Sequence, residues 1–88
     1  MNFEYDPNKS ASNHEKHGID FKAAKALWSD LKLLKFEVDY EVEPRFLMIG
    51  KIAAKHWSAV ITLRGESIRI ISVRRSRVKE IDLYENQI

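Results

Sequence analysis

The chain has 88 residues, 44% hydrophobic and 32% charged, with no cysteine and a net charge of +2. That length holds one domain, 1–88, around a single core, and the composition is that of a soluble globular fold rather than a disordered one. No apolar run reaches the ~20 residues of a membrane-spanning helix, the polar first twenty residues contain no secretory h-region, and disulfides and thiolate metal sites are excluded, so a cytoplasmic address is the expectation.

Met1 to Tyr5 carries Phe3 and Tyr5 with period two and reads as a short first strand. Asp6-Pro7 then opens a helix: Asp accepts amide hydrogen bonds as N-cap and Pro fits the first turn. The helix runs to about His17, with Gly18 as its left-handed C-cap. It is unusually polar, Ala11 being its only clear apolar residue, and Lys9, Asn13, Lys16 and His17 share one face. Asp20 caps a second helix from Phe21 to about Ser29, whose Phe21, Ala24, Leu27 and Trp28 form an apolar stripe suited to packing on a sheet. Lys25 falls at the edge of that stripe, where its stem lies on apolar surface.

From Leu33 the chain turns extended, and Glu37 to Glu43 alternates acidic with apolar until Pro44 ends the strand. Its carboxylates read as a solvated edge that discourages sheet-to-sheet aggregation; oxygen ligands two residues apart on a flat strand do not converge on a metal. Arg45 to Ile52 follows, its run Phe46-Leu47-Met48-Ile49 implying cover on both faces. Trp57 to Leu63 and Ser67 to Arg75 form a hairpin across Gly65-Glu66, with Gly first as in a type II′ turn.

Pairing Arg64 with Ser67 sets a register of Thr62 opposite Arg69, Val60 opposite Ile71, Ser58 opposite Val73 and His56 opposite Arg75. Trp57, Ala59, Ile61, Leu63, Ile68 and Ile70 then face the helices, while His56, Ser58, Thr62, Arg64, Arg69 and Arg75 form a polar, basic face. Strict alternation turns Arg74 to the helix side, toward a rim where the Lys16-His17-Gly18 corner would meet it. Ser76 is placed to cap a last helix, Arg77 to about Asn86, with Ile81 and Tyr84 inward.

Charge gathers on this last third. Between Arg64 and Lys79 six basic residues face one acidic residue, Glu66, so that segment is +5 and the remainder −3. Such a field suits a directed anionic partner. Guanidinium groups bind phosphate bidentately and can stabilise a pentacoordinate phosphorus. RNA brings its own nucleophile, the 2′-hydroxyl, so cleavage needs only a base, an acid and cations. His17, His56, Glu80 or a shifted Lys16 are the available proton carriers. Plainer roles exist beside these: Arg69 pairing with a strand carboxylate, His17 favoured by the helix dipole, and Arg77 with Glu80 as a surface pair.

These residues resemble the BrnT toxin family, small ribonucleases of type II toxin–antitoxin systems with a RelE-like fold. The likeness rests on Phe3-Glu4-Tyr5-Asp6 with Lys9, on Asn13 with Lys16-His17-Gly18 and Phe21, and on Arg45-Phe46 with Ile49-Gly50. It continues through Arg64, Ile68-Arg69-Ile70-Ile71-Ser72-Val73-Arg74-Arg75, and Glu80 with Tyr84-Glu85. Val73 stands where Ala is usual, and Glu37 to Glu43 is more acidic than the family's loop.

The resemblance implies metal-independent cleavage of mRNA that slows translation and growth, without cofactor. It also implies a ribbon-helix-helix antitoxin, through whose complex alone operator DNA is bound. The expected fold is α+β: two N-terminal helices packed on a twisted, mainly antiparallel sheet with a short C-terminal helix. Arg64, Arg74 and Arg75 are expected to hold the scissile phosphate, with His17 and Glu80 completing the catalytic set and Lys16, Arg69, Arg77, His56 and Tyr84 binding RNA. The competing expectation is a non-catalytic basic module that docks nucleic acid or an acidic protein.

Overall fold

The computed structural model describes residues 1–39 and 41–87. Five strands form one sheet in the order β1-β5-β4-β3-β2: β1 Asn2–Glu4, β2 Leu34–Val38, β3 Arg45–Ile52, β4 Lys55–Arg64 and β5 Ser67–Arg75. β1 runs parallel to β5, and the other neighbours are antiparallel. The helices are α1 (Pro7–His17), α2 (Phe21–Ala24) and α3 (Val78–Glu85). The expected α+β architecture is therefore present.

Local chemistry sets the helix ends. Asp6 accepts from the Asn8 amide at 2.8 Å, and Gly18 closes α1 at φ 78°, a left-handed conformation that costs a glycine little. Asp20 caps α2 through the Ala23 amide at 2.7 Å. The single second helix read from the apolar stripe is divided, because Lys25–Ser29 tightens into a 3-10 turn. The stripe still faces inward: Phe21, Ala24 and Leu27 are essentially inaccessible. Burying Phe21 and Leu27 contributes roughly 1.5–3 kcal/mol each. The Lys25 ammonium lies 5.7 Å from the centroids of both Phe3 and Tyr5, over the two rings.

α1 is polar because it closes a sheet edge instead of covering a core. β1 flanks only Ser67 to Arg69 of β5, leaving the rest of that edge open. The two buried residues of α1 are Ser10 and Asn13. Asn13 behaves like a neighbouring strand: Nδ2 donates to the Val73 carbonyl at 2.9 Å, and Oδ1 accepts from the Val73 amide at 3.2 Å. Nδ2 also donates to the Ile19 carbonyl at 2.8 Å, while Ser10 Oγ accepts from the Phe21 amide at 2.9 Å. Edge groups that would otherwise invite another chain are thereby satisfied.

Two strand readings need correction. The acidic–apolar alternation is not one strand to Glu43: β2 ends at Val38, which pairs with Arg45, and the chain reverses before β3. Tyr40, part of that reading, lies outside the described residues. The hairpin starts as expected, with Gly65 at φ 58° and Arg64 opposite Ser67. Past Thr62–Arg69 and Ile61–Ile70, however, β5 holds one extra residue, Ile71, so Val60 faces Ser72, Ser58 faces Arg74 and Trp57 faces Arg75.

A bulge reverses the side of every later residue. Arg74, not Arg75, joins the face away from α1 and α2, and Arg75 goes to the helix side with Trp57. The reason is burial. Without the slip Ser72 and Arg74 would point into the core; with it Val73 does, and Val73 is fully buried.

Candidate functional site

The end of β5 delivers Arg74 to the start of α3. Arg74 Nη1 and Nη2 donate to Oε1 and Oε2 of Glu80, both at 2.8 Å, a planar two-point pair. Glu80 Oε1 also accepts from the Arg77 amide at 2.8 Å, capping the first turn of α3, and from Ser58 Oγ at 2.9 Å. Ser76 is not the cap expected of it; its hydroxyl bonds Ser58 Oγ at 2.8 Å, and Arg77 is the N-cap residue.

Arg74 is the main reason the Glu80 carboxyl falls to about 2, with the Arg77 amide and Ser58 adding to it against the opposing effect of burial. Glu80 is therefore ionised at neutral pH and carries no proton to give. In return it raises the Arg74 pKa. Arg74 Nη1 additionally donates to the Arg75 carbonyl at 3.3 Å. With three of five donor hydrogens used, Nε–H and one Nη2–H still point elsewhere.

Two more arginines follow it in the chain, and Arg75 leaves the sheet on the opposite face, with Trp57. The Arg75 guanidinium lies 5.5 Å from the Trp57 ring, and among the described residues neither Arg75 nor Arg77 has a carboxylate partner. The remaining arginines named from the sequence are engaged more loosely. Arg64 is 3.7 Å from Glu43, which also lies 3.6 Å from Arg45, and Arg69 is 3.8 Å from Glu4. Arg64 and Arg69 belong to the same sheet face as Arg74.

His56 lies on that face too. Its Nε2 is 2.6 Å from Glu85 Oε2, and its ring meets Tyr84 edge-to-face at 5.3 Å. The contact with His56 holds the Glu85 carboxyl below its ordinary value. Tyr84 is buried and donates to Asp30 Oδ2 at 2.6 Å. Burial, then this bond to a carboxylate, pushes the Tyr84 hydroxyl up to about 12. Asp30 also accepts from the amides of Lys32 and Lys51, each at 2.8 Å. Burial alone would raise the Asp30 pKa; the hydrogen bonds from Tyr84, Lys51 and Lys32 outweigh it and lower the value. Tyr84 thus ties α3 to the turn before β2.

His17 and Lys16 end α1, exposed, and line a groove with Lys9, Ser12, Ile71 and Ser72. They adjoin the bulge residue Ile71 and Ser72, whereas the bulge turns Arg74 to the face away from α1 and not to the helix side expected of it. Ser72, two residues from Arg74 on the same face, belongs to the groove. Sequence reasoning placed Ser58 on the polar face and Ser76 as a cap but missed their link to Glu80, and it gave Glu85 no role with His56. A serine two residues from His56, on the same face of its strand, was the available signal for Ser58; the role of Glu85 became visible only once α3 was docked.

Among the described residues no three of His, Asp and Glu group as a metal site would need. No described helix is long and apolar enough to cross a membrane. Residues 5–80 match the family described as "Ribonuclease toxin, BrnT, of type II toxin-antitoxin system". No curated protein matches the chain significantly.

Proposed function

Since the chain belongs to the BrnT family of type II toxin–antitoxin ribonuclease toxins, we propose that it cleaves mRNA in the cytoplasm by metal-independent transesterification at the junction of β5 and α3. The observation that carries this reading is Arg74 locked by Glu80 at the strand end, followed in the chain by Arg75 and Arg77, which have no carboxylate partner among the described residues. Cations fixed before the reaction stabilise a phosphorane without reorganising.

In the reaction the ribose 2′-oxygen attacks the adjacent phosphorus and loses its proton to a base. The P–O5′ bond breaks, and the leaving oxygen takes a proton. The products are a 2′,3′-cyclic phosphate and a 5′-hydroxyl. Arg74 and Arg77 hold the phosphate, Arg75 meets the RNA from the Trp57 side of the strand end, and Arg64 and Arg69 guide the flanking backbone on the Arg74 face.

Proton transfer falls to the histidines. His17 stands in the groove beside Ser72, and His56 is oriented by Glu85, which as an acceptor at Nε2 leaves Nδ1 free to take a proton. Glu80 acts by positioning Arg74, and Tyr84 by seating α3. Lys16 lies beside His17 to attract the RNA strand. The cognate antitoxin is proposed to be a ribbon-helix-helix protein that blocks this face and carries the toxin to operator DNA. Purified protein in EDTA should leave 2′,3′-cyclic phosphate ends on RNA. Cleavage that stops with chelator and returns with a divalent ion would overturn the metal-free reading.

A further inference from the structure

The register gives the face bearing Arg69 and Arg74 a second character. Across the sheet the side chains form rows: Leu34, Ile49, Ser58 and Arg74; Phe36, Leu47, Val60 and Ser72; and Val38, Arg45, Thr62 and Arg69. Cross-strand partners share a face. The β5 end of each row is polar or basic, and the β2 end of each is apolar. α3 covers part of it where it packs on β3, and Ile49 is fully buried there. The rest is open: Phe36 is 39% exposed and Val38 40%, with Leu34, Leu47 and Val60 only half-buried. α1 and α2 lie on the opposite face and cannot cover it.

We propose that this stripe, chiefly Phe36, Val38, Leu47 and Val60, is the docking surface for the antitoxin. Its occupant is an amphipathic segment whose apolar side chains lie on the stripe and whose carboxylates reach the β5 arginines. The proposal rests on the toxin reading given above. Four observations select the occupant. The stripe is mainly branched aliphatic surface, which suits side chains better than bases, because only Phe36 offers a ring for stacking.

The stripe is continuous with the basic rows, so one segment contacts both. Residues 64–79 carry a net charge of +5, which calls for an acidic flank. Finally, the Arg64–Glu43 and Arg69–Glu4 pairs, at 3.7 and 3.8 Å, are loose enough to exchange for a partner's carboxylates. A segment so placed lies across Ser72 and Arg74, making antitoxin binding and RNA cleavage mutually exclusive.

The test uses the full chain and its cognate antitoxin. Phe36→Ser with Val38→Ser, and Val38→Ser alone as a milder variant, are checked for folding by circular dichroism. Antitoxin affinity and RNA cleavage are then measured in parallel. The double variant should bind antitoxin at least tenfold more weakly, keep cleavage within twofold of wild type, and continue cutting at antitoxin concentrations that silence the wild type. The milder variant should show the same trend.

Unchanged antitoxin affinity overturns the proposal. Lost cleavage with intact antitoxin binding gives the stripe to RNA, and a wild-type dimer that the variants make monomeric gives it to a second copy; either result overturns it. If the wild-type chain cuts no RNA, the ribonuclease reading fails, while the affinity measurement still decides the docking surface.

Discussion

Arg74 and Glu80 meet through two parallel hydrogen bonds of 2.8 Å, and the same carboxylate caps the helix on which it sits. One side chain therefore joins the end of β5, the start of α3 and the central cation of the proposed site. Fixing an arginine this way costs flexibility but leaves two of its donors aimed and ready.

Glu80→Gln should lower both stability and activity. Folded Glu80 titrates near 2 against an ordinary 4.5. Its contribution is therefore fully present above pH 4.5 and is lost as pH falls toward 2. At 1.36 kcal/mol per pKa unit it amounts to at most about 3 kcal/mol. Urea unfolding should show the variant less stable than wild type at pH 7, with the gap closing between pH 4.5 and 2. RNA cleavage should drop at least tenfold, because Arg74 is no longer held.

Arg75→Ala and Arg77→Ala should separate binding from folding. Arg77 has no side-chain ion pair among the described residues, and Arg75 would lose only its contact with Trp57, worth about 0.5–1 kcal/mol. Both variants should melt within a few degrees of wild type. Their RNA affinity should fall and depend less steeply on salt, each phosphate contact contributing about 0.7 to the slope for a single strand. An unchanged salt slope would remove the arginine from the RNA path.

Asn13→Ala should be costly for a reason unrelated to RNA. It strips the Val73 amide and carbonyl and the Ile19 carbonyl of partners in a buried setting. Unsatisfied buried groups cost about 1–3 kcal/mol each. A loss of about 2–4 kcal/mol is expected, lowering Tm by roughly 10–25 °C for a domain of this size. A drop of only a few degrees would show that water replaces the amide.

Much of this organisation was legible in the residues. Asp6-Pro7, Gly18 and Asp20 mark their helix ends by capping chemistry that acts within a few residues. Ser67 to Arg75 reads as a strand because its residue types suit one. The bulge was harder, since no Gly or Pro announces it. Its trace is the phase slip from Ile68 and Ile70 to Val73, which strict alternation would have answered with a buried Ser72 and Arg74. Ignoring that slip exchanged the places of Arg74 and Arg75.

Residues 37–43 misled for a different reason. Alternation specifies two faces but not where a chain must turn, and Val38 pairing with Arg45 ends the strand early. Nor does alternation say which face meets the helices. Leu34, Phe36 and Val38 lie on the side opposite α1 and α2, a fact that only cross-strand register supplies. The His56–Glu85 contact joins residues 29 apart, and nothing local encodes it.

His17 and His56 can be distinguished by their pH profiles. If His56 carries the proton, His56→Ala should abolish the pH dependence of cleavage and Glu85→Gln should shift it, while His17→Ala leaves the profile's shape intact. If His17 does so, the outcomes exchange. Intact profiles in both variants would assign proton transfer to another group.

The decisive measurement maps the ends left on RNA by the purified wild-type chain and by an Arg74→Ala, Arg75→Ala, Arg77→Ala triple variant, both in EDTA. The wild type should leave 2′,3′-cyclic phosphate and 5′-hydroxyl ends, and a variant that still folds should cleave at least a thousandfold more slowly. Equal cleavage by the two proteins, or none from the wild type until a divalent ion is added, would contradict it.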